Sequence, residues 1–455
     1  MKRIVVLGGG ESGVGAAVLA QKKGFDVFLS DASPIKEAYK QVLDAYEITY
    51  EEAQHTQELI LNADEVIKSP GIPLTAPLIV ALQNKGVPII SEIEFAARYT
   101  QARTICITGS NGKTTTTMMT YHLLKSAGLN VGLAGNVGKS FALQVAESQY
   151  DWYVIELSSF QLDNMYDFRA DIAILMNITP DHLDRYANTM QLYVDAKMRI
   201  LQNMTEQQHF IYWAGDPIIQ AELNKRETLS TSLHPFDNSV GATHTQTGIK
   251  LSATVTPTGA LLHQTDSDPF CISLDQLPLP GPHNLYNTMA ATLAARLAGI
   301  SSDKIVVGLS TFQGVAHRLE HVVEIDGIEY INDSKATNVD SCRYALMSMT
   351  RPTVLILGGK DKGNDYSLIE DLVKEHCKAL VFMGLHNEPL HAAFDQIGLP
   401  IADTNSLQDA IECCKNFAQS GDTVLLSPCC ASFDLFTSYE DRGEKFKKII
   451  IQSKQ

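Results

Sequence analysis

Between Thr104 and Thr117 the chain reads TICITGSNGKTTTT, a β-branched run that breaks at a glycine and resumes as lysine and threonines. Phosphate chemistry is what these residue types do at this spacing. Gly109 and Gly112 let backbone N–H groups turn toward an anion, Lys113 supplies a point charge, and a helix beginning there offers its positive N-terminus. Thr114 can give its hydroxyl to Mg2+. The common phosphate loop carries a further glycine five positions before the one preceding the lysine; here that position is Ile107. The loop is shortened, yet none of its donors is lost.

Other clusters suggest more ligands. Gly8, Gly10 and Gly13 match G-x-G-x-x-G, with Asp31 at the end of the next strand-like run. That spacing suits a dinucleotide, but also any diphosphate, or simply a tightly packed turn. Glu156 follows the apolar run WYVI, where a carboxylate has reason to face a metal, and His182 lies in NITPDHLDRY. Mg2+ prefers oxygen ligands, so by itself His182 reads as a turn histidine, and Lys197 in YVDAKMRI as a solvated helix lysine. NDSKATN (332–338) and GGKDKGND follow strand-like runs and can converge on one ligand. In HRLE, Arg318 beside His317 can reach a phosphate.

These clusters must be positioned by elements, and the periodicity says which. RIVVL, DVFLS, EVIK and VPII are short apolar runs separated by helical stretches, the pattern of a parallel sheet. The pattern restarts near Thr100 and again after Ser301. Between Leu229 and Ile272, Thr-, Ser-, Gly- and His-rich alternation suggests hairpins, and GPHNLYNTMAAT then opens a helix. The expectation is a three-domain α/β protein. Its parts are a Rossmann-like parallel sheet (1–97), a central P-loop ATPase-like α/β domain (98–300) and a Rossmann-like C-terminal α/β domain (301–455). Ligands in such sheets sit beyond the carboxyl ends of the strands.

Bulk properties narrow the function. The 455 residues suit roughly three domains. A net charge of −16 argues against broad nucleic-acid binding, which needs a basic face. The eight cysteines contain no CxxC pair and read as reduced, mostly buried thiols. The apolar run after Met1 is too short for a signal-peptide core, and no run approaches the ~20 residues that span a bilayer. The expected setting is the cytoplasm, without membrane partners.

TGSNGKTTT, GNVG, ELSSFQL, NITPDHLDRY, YVDAKMRI, GPHNLYN, HRLE, NDSKATN, LGGKDKG and SPCCASFD occur here in an order that resembles the Mur ligases of peptidoglycan synthesis. The resemblance covers essentially the whole chain and is closest to members that add D-glutamate to UDP-N-acetylmuramoyl-L-alanine. It implies that the shortened loop, through Gly109, Asn111, Gly112, Lys113, Thr114 and Thr115, binds ATP as co-substrate. It further implies Asn284 and Asn287 on the adenine side, with His317, Arg318 and Asp333 also on the nucleotide.

Two Mg2+ ions are implied, with Thr114, Glu156 and His182 as ligands, and with Lys197 as a ligand once carbamylated. Ser12, Gly13, Asp31, Ser69, Gly71, Asn136 and His182 would contact the UDP-linked substrate, with Lys113, Asn136, His182, Lys197 and Lys335 at the reacting centre. Thr337, Lys362, Ser432, Phe433 and Tyr439 would hold D-glutamate; Tyr439 stands where some relatives are expected to carry phenylalanine. The implied enzyme is a monomer that forms an amide through an acyl phosphate. Rival readings are a ligase for another amino acid, an NAD-dependent oxidoreductase built on the first glycine loop, and a non-catalytic nucleotide-binding protein, although no N-K-x-D guanine-reading sequence is present.

Overall fold

The computed structural model describes residues 1–226, 229–263, 270–279 and 281–453. Three sheets follow one another along the chain, each mainly parallel and helix-covered. The first comprises β1 (Arg3–Leu7), β2 (Asp26–Ser30), β3 (Thr49–Glu51), β4 (Glu65–Lys68) and β5 (Ile89–Ile90), in the order β3-β2-β1-β4-β5. Ile4 to Leu7 are buried, because strands covered on both faces have no solvent side to alternate toward. Burying each aliphatic side chain contributes about 1.5–3 kcal/mol. The chain runs outward from β1 in both directions, so the loop after β1 lies at a topological switch point between β2 and β4.

The second sheet holds β6 (Arg103–Thr108), β7 (Val131–Gly135), β8 (Trp152–Glu156), β9 (Ile172–Leu175), β10 (His209–Trp213), β11 (Ser232–Val240), β12 (Ala253–Val255), β13 (Ala260–His263) and β14 (Phe270–Ser273). Its order is β14-β13-β12-β11-β10-β9-β6-β8-β7. Strand β6 sits between β8 and β9, which places Gly109–Lys113 at the second switch point. The stretch 229–272 is hairpin-like only in part. Strands β12 to β14 are antiparallel, but β11 pairs in parallel with β10 and extends the main sheet. Residues 264–269 of that stretch lie outside the described residues.

The third sheet runs β15-β16-β20-β17-β18-β19, from β15 (Glu320–Ile325), β16 (Ile328–Asn332), β17 (Thr353–Gly358), β18 (Cys377–Met383), β19 (Ile401–Thr404) and β20 (Thr423–Cys429). Only the β15/β16 pair is antiparallel. NDSKATN follows β16, GGKDKG follows β17 and CCASFD follows β20, three neighbouring strands.

Two compact units result: Met1–Leu277 with Tyr286–Phe312, and Pro278–Leu285 with Gln313–Gln455. The helix Ser302–Thr311, which the sequence reading assigns to the third segment, belongs to the first unit. There His122 Nε2 meets the Gly308 carbonyl at 3.0 Å and Lys304 donates to the Ala127 carbonyl at 3.0 Å. All eight cysteines are free; six are buried, Cys413 is half-buried and Cys271 is exposed. Among the described residues no helix is long and apolar enough to cross a membrane.

Within the first unit the two sheets are joined by the short helix Glu92–Ala97, capped by Ser91, whose hydroxyl accepts from Glu94 N. Its two buried glutamates point into the second sheet's layer. Glu94 accepts from the backbone N–H groups of Tyr166, Asp167 and Phe168 at 3.0–3.1 Å. Glu92 accepts from Ser140 Oγ at 2.7 Å and Ala142 N at 2.6 Å.

Burial pushes the Glu92 carboxyl up to about 7, against those two hydrogen bonds and with help from the Glu11 charge. The folded protein therefore binds this proton more tightly than the unfolded chain. The resulting stability is fully present below about 4.5 and is lost as pH rises through about 7. The loss for this group is on the order of 3 kcal/mol. Glu92→Gln should flatten the fall in thermal midpoint between pH 5 and pH 8; parallel curves for the two proteins would refute this assignment.

Candidate active site

A cavity of about 300 Å3 in the first unit is lined by Pro70, Gly71, Lys113, Asn136, Ser158, Ser159, Phe160, Asp181, His182, Tyr193 and Lys197. Lys113 enters it from the end of the loop after β6. Gly112 has φ +81° and begins the helix Lys113–Ser126, and Gly109 has φ +151°. The shortened loop holds its shape through the segment after β9. Ser110 N donates to the Asn177 carbonyl at 2.9 Å, Asn111 N to Asn177 Oδ1 at 2.8 Å, and Asn177 Nδ2 to the Asn111 carbonyl at 3.1 Å. Ser110 Oγ meets the Thr179 carbonyl at 2.8 Å and Tyr193 OH at 2.9 Å. Thr114 and Thr115 are buried in the first helical turn.

Lys113 Nζ donates to the carbonyls of Gly109 and Ser110, each at 2.8 Å. Lys197 Nζ reaches the same Gly109 carbonyl at 2.7 Å and lies over the Tyr193 ring. This overturns the reading of Lys197 as solvated: it is 1% exposed, on the inner side of the helix Met190–Met198. Burial, and then the Lys113 charge, hold its pKa well below the usual lysine range, although Asp181 and Glu156 pull upward.

Glu156, at the end of β8, is equally buried. Oε1 accepts from Asn136 Nδ2 at 2.9 Å, while Oε2 is buried with no partner among the described residues. A buried, unpaired carboxylate oxygen is costly unless something cationic meets it. This donor set suits an oxygen-seeking cation such as Mg2+. His182 has φ +52°, a turn conformation, with Nε2 3.6 Å from Asp181 and its ring edge-on to Phe160.

The remaining expected residues form two other groups. At the first switch point Asp31 Oδ2 accepts from Gly9 N at 2.6 Å and so holds the glycine loop, while Oδ1 accepts from Ser33 N at 2.8 Å in its own turn. Ser12 is half-buried at the helix start, Gly13 packs on the Gly8 carbonyl, and Ser69 packs on Gly8. Asn287, on the helix Pro282–Leu297, lies against Gly112, and its Oδ1 accepts from Thr116 Oγ1 at 3.2 Å. Asn284 shares that helix but belongs to the second unit.

In the second unit His317 (φ +63°) meets Asn332 Nδ2 at 2.9 Å, and its carbonyl accepts from Lys335 N at 3.0 Å. Arg318 Nε is buried without a partner among the described residues. Asp333 accepts from Ser427 Oγ at 2.8 Å, and burial raises its carboxyl to about 7. Lys335 Nζ lies over the Tyr439 ring, and Thr337 N donates to the Lys335 carbonyl. Ser432 is buried, whereas Lys362 and Phe433 are exposed.

Sequence reasoning passed over Arg442, which is fully buried. Its guanidinium donates to Ser334 Oγ at 2.9 Å, the Ser334 carbonyl at 2.8 Å and the Cys430 carbonyl at 3.3 Å, tying the loops after β16 and β20 together. Asn177, Thr179 and Tyr193 were also passed over. The three lie within the quoted runs NITPDHLDRY and YVDAKMRI, but their support of the loop rests on contacts distant in sequence.

A Cβ at Gly112 would stand 2.4 Å from Asn287 Oδ1, on a backbone that L-residues avoid. Gly112→Ala should therefore cost about 1–3 kcal/mol, read as a lower urea midpoint. An unchanged midpoint would show that the loop relaxes freely.

Comparison with known proteins places this geometry. The chain matches the MurD N-terminal domain over residues 3–76, the Mur ligase middle domain over 107–295 and the Mur ligase glutamate ligase domain over 317–430. A relative from Bacteroides thetaiotaomicron, named UDP-N-acetylmuramoylalanine–D-glutamate ligase, is 61% identical, with 99% of each chain covered. A Porphyromonas gingivalis protein of the same name is 52% identical over 98% of each. The solved UDP-N-acetylmuramate-alanine ligase of Thermotoga maritima shares the fold at a TM-score of 0.62, with 18% identity and 100% of both chains covered. With three matched segments in chain order and relatives this similar along nearly its full length, the chain belongs to the Mur ligase family.

Proposed function

We propose that the protein is an ATP-dependent ligase that joins D-glutamate to UDP-N-acetylmuramoyl-L-alanine in peptidoglycan precursor synthesis, acting as a monomer in the cytoplasm. The observation that carries this reading is the shared cavity. Its wall unites the anion loop's Lys113, the buried Lys197, His182 beside Asp181, and the Pro70–Gly71 turn of the first sheet. The names of the most similar relatives supply the amino acid.

The substrate carboxylate attacks the γ-phosphorus of ATP, ADP leaves, and an acyl phosphate forms. The amine of D-glutamate attacks its carbonyl carbon and loses a proton, and phosphate departs from the tetrahedral intermediate. Lys113 and the loop residues Gly109, Asn111, Gly112, Thr114 and Thr115 hold the phosphates, which is mainly electrostatic catalysis. Asn284 and Asn287 take the adenine side, and His317, Arg318 and Asp333 serve the nucleotide. Ser12, Gly13, Asp31, Ser69 and Gly71 hold the UDP-linked substrate, with Asn136 and His182 near its reacting end. Lys335, Thr337, Lys362, Ser432, Phe433 and Tyr439 receive D-glutamate.

Two Mg2+ ions, held by Thr114, Glu156, His182 and carbamylated Lys197, would offset charge on the transferring phosphoryl group. The depressed lysine pKa supports that modification. A neutral Lys197 amine attacks the carbon of CO2 and releases a proton, turning a cation into an oxygen ligand. Accordingly, Lys197→Ala should lose activity by roughly 10²–10³-fold, and a small carboxylic acid should restore part of it. Full activity of the variant without any additive would sink the carbamate.

The functional reading is tested by phosphate release from Mg-ATP with UDP-N-acetylmuramoyl-L-alanine and each of several amino acids, the product identified by mass. Release with D-glutamate and a product heavier by one glutamyl residue is expected. Release only with another amino acid would move the specificity, and none at all would favour a non-catalytic nucleotide-binding protein.

A further inference from the structure

The turn Ser69-Pro70-Gly71-Ile72-Pro73 presents a problem that the site chemistry leaves unexplained. Two of its five residues are prolines and have no N–H, so the turn can make few backbone bonds of its own. Ser69 N donates to the Leu7 carbonyl and Ile72 N to the Ser69 carbonyl, at 2.8 and 3.1 Å. Yet Pro70 and Gly71 line the cavity.

What holds the turn is a pair of cations. Lys68 Nζ donates to the Ser69 carbonyl at 3.1 Å and the Ile72 carbonyl at 2.9 Å. Arg185 spans the two carbonyls between them, NH2 to Pro70 and NH1 to Gly71, both at 3.3 Å. Four consecutive carbonyls thus accept from two side-chain cations, one on each side of the junction between the first and second sheets.

The cations are themselves fixed. Arg185 Cζ lies over the Phe160 ring, 4.4 Å from its centroid. The charge of Asp163 acts on both, and its Oδ2 accepts from Tyr186 OH at 3.0 Å. Lys68 ends the buried strand β4 and is 3% exposed. Burying an ammonium is expensive, and an apolar residue would serve the sheet better, so its retention calls for a positional role.

We infer that Lys68 and Arg185 are positioning residues that brace the Ser69–Ile72 turn against the cavity and so set the affinity for the UDP-linked substrate. The inference rests on the proposed role of Ser69 and Gly71 toward that substrate. Burial and the Arg185 charge lower the Lys68 pKa to about 8, the cost of placing two cations on one turn.

The test uses Lys68→Met, which keeps the apolar stem, and Arg185→Gln, each in the full chain. Amide hydrogen exchange at Gly71 and Ile72 should quicken. The KM and equilibrium Kd for UDP-N-acetylmuramoyl-L-alanine should rise roughly tenfold, while the KM for ATP stays within twofold and serves as the folding control. A merely structural residue would move both substrates together, and that result would overturn the inference. So would unchanged exchange in the turn, or faster exchange with an unchanged Kd. If the unaltered protein fails to bind the UDP-linked substrate, the functional reading falls and the inference with it. Binding by the unaltered protein with equal Kd in the variants removes the inference alone.

Discussion

The Gly109 carbonyl accepts from two lysines, Lys113 and Lys197, in a place where neither can be fully hydrated. Two ammonium groups on one oxygen repel each other strongly at low effective dielectric. Burial and the Lys113 charge push the pKa of Lys197, the more deeply buried of the two, well below the usual lysine range. Around this one contact Lys113 is held over the anion loop, and two cations so close together call for an anionic counterweight. Glu156 and Asp181 supply that counterweight from the ends of two other strands.

The shortened loop works because its support comes from outside it. A common phosphate loop closes on its own glycines. Here Asn177 and Thr179, after β9, take up the N–H and hydroxyl groups of Ser110 and Asn111, and Asn287 closes the other side at Gly112. The same division of labour recurs in the second unit. The loops after β16 and β20 carry most of the polar cluster, and the buried guanidinium of Arg442 sets their separation. The planar fork holds its donors in one fixed geometry, which suits it to bridging two loops.

Buried carboxylates do comparable work along the chain's first joint. Glu94 satisfies three backbone N–H groups in the loop before β9, and Glu92 takes the N-terminus of the helix Phe141–Glu147. Through these satisfied backbone donors the short helix Glu92–Ala97 is tied to the second sheet's layer.

Much of this was legible from residue order alone. Apolar runs ending in polar turns marked the strands and predicted that the clusters would fall at strand ends, because a parallel sheet leaves its carboxyl edge open at each switch point. The glycine-lysine-threonine order marked the anion loop, since backbone conformation and charge there are local properties. The motif order marked the family. What the sequence could not show was environment. Lys197 taken alone reads as a solvated helix lysine, yet it is buried with its neighbours one turn away, Tyr193, Val194, Ile200 and Leu201. Lys68 and Arg185 are far apart in the chain and meet at one turn. Burial, desolvation and the sharing of a carbonyl arise from the sum of distant contacts, so tertiary structure alone decided which charges were desolvated, which stayed paired and which oxygen of Glu156 was left open.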